Sequence, residues 1–141
     1  MGYFLSKDVV LKWIETPSVY HLKRDELYEL DEESFLYLMN CSNKDCSNDE
    51  TDFVDYCLDE GILTQTEVLR RKHPPLIKSP EPSLRYLELQ VTERCNLRCR
   101  HCYIEKDILS ELPLDLIRSV LREFEAMQGL RVMITGGEPL V

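Results

Sequence analysis

Apolar and polar residues alternate in three short stretches near the N-terminus, DVVLKWIE, SVYHLKR and ELYEL. Each is rich in β-branched and aromatic residues and bounded by turn residues, Thr16-Pro17-Ser18 and then Arg24-Asp25, so the pattern predicts a three-stranded meander. Val9, Leu11 and Trp13 are expected on one face of the first strand, and Tyr20 with Leu22 on one face of the second. The period then changes. Asp31 is placed to cap a helix whose apolar stripe is Phe35, Leu38 and Met39. The polar stretch CSNKDCSND leads to a second helix with Phe53, Val54, Cys57 and Leu58 on one side and Gly61 as its C′ residue. Strands followed by helices predict a small α+β, winged-helix-like module over residues 1–69.

Residues 70–83 contain Pro74, Pro75, Pro80 and Pro82. They form neither a helix nor a sheet centre and are expected to link two modules. Residues 84–141 read as strand, loop, helix, strand. In SLRYLELQVT, Leu87, Leu89 and Val91 oppose Glu88, Gln90 and Thr92. Pro113 is expected at N1 of a helix striped by Leu114, Ile117, Val120, Leu121, Phe124 and Met127, with Gly129 closing it. LRVMIT is mostly apolar, as a parallel strand covered by helices would be. This βαβ pattern predicts an α/β fold: the start of a partial (β/α) barrel, with polar loops at the strand ends.

Composition narrows the function classes. The 141 residues are 43% hydrophobic and 30% charged, with formal net charge −9, a globular balance. Between Arg24 and Glu60 only Arg24 and Lys44 oppose a long series of acids, and such a surface repels phosphates, so a nucleic-acid partner is not expected. No apolar run reaches the roughly 20 residues that span a bilayer. MGYFLSKDVV shows no signal-peptide pattern, so the expected location is cytoplasmic. There, six cysteines argue for metal binding or catalysis before disulfides. Cys41, Cys46 and Cys57 are one conceivable group, although Cys57 on an apolar stripe reads more simply as a small buried hydrophobe.

The most informative stretch is ERCNLRCRHCY, which follows the first strand of the second module. Cys95, Cys99 and Cys102 are spaced C-x3-C-x2-C. Thiolates select iron–sulfur clusters, zinc or copper(I). Structural zinc and purely electron-transferring [4Fe–4S] clusters take four ligands, so three cysteines leave one iron of such a cluster open to a substrate or cosubstrate. A zinc site of the three cysteines with His101 is the competing reading.

These cysteines, with the GGEP run Gly136, Gly137, Glu138 and Pro139 after the second strand, resemble the radical S-adenosylmethionine superfamily. The resemblance implies that Cys95, Cys99 and Cys102 ligate three irons of a [4Fe–4S] cluster and that S-adenosylmethionine chelates the fourth. It implies that His101 stands where the family places an aromatic residue near the adenine, and that Gly136 to Pro139 bind the methionine amino group. It also implies an electron donor such as flavodoxin or ferredoxin, reductive cleavage of the cosubstrate, and hydrogen abstraction by a 5′-deoxyadenosyl radical. On this reading Gly137→Val is expected to block cosubstrate binding and leave cluster assembly intact. The later barrel strands of the family are not in these residues, so the chain is expected to be the front part of a longer enzyme.

The first module is similar, in its order of elements, to the peptide-recognition element of peptide-maturing members, which resembles the small partner protein of pyrroloquinoline quinone synthesis. It has one helix fewer than that element. The resemblance implies capture of a precursor's leader peptide as an added strand beside Glu26–Leu30, and Tyr28→Pro is expected to delete a ladder donor there. Two alternatives stand beside this peptide maturase: a radical enzyme acting on a non-peptide substrate behind a structural cap, and a non-catalytic, peptide-binding zinc protein.

Overall fold

The computed structural model describes residues 2–43, 46, 51–66, 76–104 and 110–141. Two compact units result, Met1–Glu81 and Pro82–Val141. Of the proline-rich segment, Pro74 and Pro75 lie outside the described residues; Ile77 to Ser83 contain no helix or strand.

The first unit is built on β2 (Val9–Trp13), β3 (Pro17–His21) and β4 (Glu26–Glu29), an antiparallel meander with β3 in the middle. Register pairs Leu11 with Val19, and Val19 with Tyr28. As the central strand, β3 buries Ser18, Val19, Tyr20 and His21 alike, so it does not show the one-sided pattern expected of it. Leu22 lies beyond the strand end and is exposed, contrary to its expected place beside Tyr20. The β3–β4 turn places Asp25 at φ 56°, a left-handed conformation that Asp tolerates. The Tyr20 hydroxyl donates to the Asp25 carboxylate, and the Arg24 N–H donates to His21 Nδ1 at 3.3 Å.

Helix α1 (Glu32–Asn43) begins as expected: Asp31 Oδ1 accepts the Ser34 N–H at 2.7 Å. Phe35 and Leu38 are buried against the sheet, and Trp13 meets Phe35 edge-on at 6.0 Å. Helix α2 (Thr51–Asp59) buries Val54 and Cys57. It ends in a Schellman turn: Gly61 is at φ 68°, its N–H reaches Leu58 O, and the Ile62 N–H reaches Cys57 O. A further pair, β1 (Phe4–Leu5) with β5 (Leu63–Thr64), was not foreseen, because two-residue strands are too short to show a period. The core joins both sheets and both helices through Leu5, Leu63, Val9, Leu11, Val19, Phe35, Leu38 and Cys57. Each fully buried aliphatic side chain of this kind contributes about 1.5–3 kcal/mol.

The Cys41–Cys46–Cys57 metal group does not form. Cys41 lies on α1 rather than in a loop, and it is disulfide-bonded to Cys46. Cys46 forms a bridge with Tyr3 through two backbone hydrogen bonds of 2.8 and 3.0 Å. Cys57 is a fully buried free thiol, and burial pushes its pKa up to about 12, which leaves it protonated and a poor ligand. The ordering of metal before disulfide is thus reversed for this pair.

The second unit contains β6 (Tyr86–Thr92), α3 (Leu114–Ala126) and β7 (Arg131–Gly136). The strands are parallel, with Leu87 opposite Val132 and Leu89 opposite Ile134. This is the expected βαβ unit. Met133 and Ile134 are each 44% exposed, so β7 is not covered on both faces. Pro113 stands one residue outside α3, as its N-cap. The helix is closed by Gln128 at φ 64°, not by Gly129. Gly129 is one place further on, where a Cβ would meet the Phe124 ring at 2.2 Å; it is there for space rather than for its backbone conformation.

Candidate functional site

The site is at the carboxyl ends of β6 and β7. The chain leaves β6 at Thr92 and enters the cysteine stretch at once, as expected from the sequence. That exit is held from two sides. On the β7 side, Thr92 O accepts the Gly137 N–H and Arg94 O accepts the Glu138 N–H, each at 2.8 Å. On the other side residues 110–112 return antiparallel to the strand end. The Glu93 N–H donates to Ser110 O and the Leu112 N–H to Val91 O, each at 2.9 Å, around a Thr92–Glu111 bridge. Side chains reinforce this return: Glu93 Oε2 accepts from Ser110, and Arg94 Nη1 is 3.2 Å from Glu111 Oε1. Sequence reasoning missed Glu93, Ser110 and Glu111, because a three-residue return strand leaves no periodic signal.

Cys95, Cys99 and Cys102 are all free, exposed thiols. Cys95 and Cys102 line one cavity of about 370 Å³ with Glu93, Asn96, Leu97, Arg98 and Ile104. Cys95 Sγ accepts the Leu97 N–H at 3.3 Å. Cys99 is not on that cavity, but its carbonyl accepts the Cys102 N–H at 3.3 Å, which ties the second cysteine to the third. Among the described residues no three His, Cys, Asp or Glu side chains converge in metal-holding geometry. His101 is exposed beside Cys102 and takes no place on the cavity.

The glycines of the GGEP run have a packing role that the sequence did not disclose. A Cβ on Gly137 would be 2.1 Å from Arg94 O, and one on Gly136 would be 2.2 Å from Thr92 O. Their bare faces are filled by the stem of the cysteine loop itself. Glu138 folds locally, its Oε1 accepting the Leu140 N–H at 3.1 Å, and Pro139 follows in the turn. The two motifs, far apart in sequence, are therefore one hydrogen-bonded structure. Soft thiols, exposed on a loop with a fixed stem, suit iron as a donor set.

Residues 89–141 match the family model of the Radical SAM superfamily. Over this segment the chain is similar to radical SAM proteins. Radical SAM proteins use a [4Fe–4S] cluster and S-adenosylmethionine. The chain is also similar to curated proteins named GTP 3′,8-cyclase. That of Heliobacterium modesticaldum is 52% identical over 67 residues, 41% of this chain and 19% of the relative. That of Agrobacterium fabrum is 34% identical over 89 residues, 57% of this chain and 24% of the relative. That of Alkaliphilus metalliredigens is 41% identical over 66 residues, 42% of this chain and 20% of the relative. The chain thus spans about a fifth of the length of these relatives. No helix among the described residues is long and apolar enough to cross a membrane.

A second surface is the edge of the meander, where β4 pairs only with β3 among the described strands. The Leu30 N–H donates to Pro17 O at 2.9 Å. Antiparallel alternation then turns the Tyr28 N–H inward to β3, and those of Leu27 and Glu29 outward. Tyr28 is therefore the wrong position at which to test the outer ladder. Its hydroxyl is 2.7 Å from Glu26 Oε2 and 2.9 Å from Glu60 Oε2, and these carboxylates, with partial burial, push its pKa up to about 12. Arg24 Nη1 is 2.5 Å from the same Glu60 oxygen, so the strand is pinned by side chains to the end of α2.

Proposed function

We propose that this protein works as a radical S-adenosylmethionine enzyme in which Cys95, Cys99 and Cys102 are the protein ligands of a [4Fe–4S] cluster. The observation that carries the reading is the placement of three exposed thiols on a loop locked at the carboxyl end of a parallel strand and backed by the GGEP turn. When bound, the cluster and S-adenosylmethionine supply one-electron reductive cleavage of the sulfonium and hydrogen abstraction from a substrate. The chain's own part is to hold and shield. The three thiols take the iron; Gly136 and Gly137 keep the loop stem against β7 and, with Glu138, Pro139 and His101, are the residues offered to the cosubstrate. The electron comes from a low-potential carrier such as a flavodoxin or ferredoxin, in a cytoplasmic setting.

For the substrate, the relatives' name supports a small, non-peptide molecule, with the first unit as a structural cap. A second reading has one observation in its favour: the open outer edge of β4, which supports docking of a precursor peptide as an added strand. The test uses the full-length protein, reconstituted and reduced without oxygen. It is expected to release 5′-deoxyadenosine from S-adenosylmethionine, and Cys99→Ala to release none. Deuterium transfer into that product from labelled GTP, or from labelled peptides encoded beside the gene, separates the substrate readings. Absence of reductive cleavage in a protein fully loaded with iron would overturn the enzyme reading.

A further inference from the structure

Glu93 grips one residue twice. Its N–H donates to Ser110 O at 2.9 Å, and its carboxylate turns back across the same gap. There Oε2 accepts the Ser110 N–H at 3.1 Å and the Ser110 Oγ–H at 2.8 Å. Ser110 lies 17 positions further on, so these bonds close the base of the whole thiol-bearing loop. The same Glu93 lines the cavity shared by Cys95 and Cys102.

A carboxylate beside thiols invites reading as a further metal ligand. Its Oε2, however, already receives two donors from Ser110, one backbone and one hydroxyl, which engages the carboxylate as a brace of the loop. Hydrogen bonds to an ionised acceptor are stronger than neutral ones. Here they are spent on closing a loop, which restricts the positions that the thiols can explore before metal arrives.

We propose that Glu93 is a positioning residue that latches the cysteine loop at Ser110 and so sets how firmly the three thiols retain their cluster. The proposal rests on the cluster reading above. Loss of a group that orients metal ligands typically costs 10–100-fold in metal affinity, and the partial exposure of Glu93 places it at the low end.

The experiment measures iron release from the anaerobically reconstituted full-length protein to a colorimetric chelator, alongside amide exchange of Ser110 in the metal-free protein. Glu93→Ala is expected to release iron about tenfold faster and to speed exchange at Ser110, with the thermal midpoint of the metal-free protein little changed. Glu93→Gln, which keeps an oxygen acceptor, and Ser110→Ala, which keeps the backbone donor, are expected to lie between parent and Glu93→Ala. Release from Glu93→Ala within twofold of the parent overturns the latch. So does a Glu93→Ala protein that takes up no iron while Ser110→Ala behaves as the parent, because Glu93 would then act on the metal directly. If the parent itself takes up no iron, the cluster reading falls. In that case unchanged exchange at Ser110 in Glu93→Ala rejects the latch, and faster exchange upholds its closure of the loop.

Discussion

Gly137 carries a packing role that its motif alone does not disclose. Read alone, a glycine in GGEP suggests room for a ligand; in the structure its missing Cβ is the space occupied by the Arg94 carbonyl. Arg94 immediately precedes Cys95, so any side chain at 137 displaces the loop that carries the thiols. Gly137→Ala is therefore expected to reduce iron loading, and overpacking of this kind costs about 1–3 kcal/mol. Iron content after anaerobic reconstitution and a thermal melt of the metal-free protein check it. Unchanged iron with weaker S-adenosylmethionine binding would instead favour a direct hold on the cosubstrate alone. The three cysteines stand out in the sequence by their chemistry and spacing, without the fold. The Glu93–Ser110 contact does not, because it pairs two ordinary polar residues across a loop.

At the scale of elements, strands and helices with a sustained period were read correctly. The meander, both helices of the first unit and the βαβ unit all occupy the expected stretches. What failed was local and had physical causes. Central β3 buries both faces and so loses its alternation, and β1 and β5 are too short to have one. Gln128 takes the left-handed cap position that glycine usually fills. The hydrogen-bond parity of β4 could come only from its register, and it changes the test of peptide docking. Glu29→Pro removes an outward N–H, which an edge strand tolerates, whereas Tyr28→Pro removes a bond to β3. If a leader peptide adds to this edge, Glu29→Pro is expected to weaken its binding about tenfold or more, the loss of one backbone hydrogen bond plus a local clash, about 1.4 kcal/mol. Amide shifts on titration with the gene-neighbour peptides should fall on residues 26–30 and be lost in that variant. Shifts confined to other elements would leave the first unit as a cap.

At the scale of the molecule, two units of different character share one acidic chain. The first has a continuous apolar core and a disulfide; the second is a small parallel sheet whose loops hold the reactive side chains. The prolines and the change of period placed a boundary within residues 70–83, and the two compact units divide between Glu81 and Pro82. The substrate was not legible, since it is recognised by surfaces that neither motif describes. The central claim is that the three thiols hold an iron–sulfur cluster with an open iron. Mössbauer and electron paramagnetic resonance spectra of the anaerobically reconstituted protein test it most directly. The account predicts about four irons per chain as one [4Fe–4S] centre, a shifted signal on adding S-adenosylmethionine, and loss of the centre in Cys99→Ala. Stoichiometric zinc with no iron, or a cluster spectrum indifferent to S-adenosylmethionine, would contradict it.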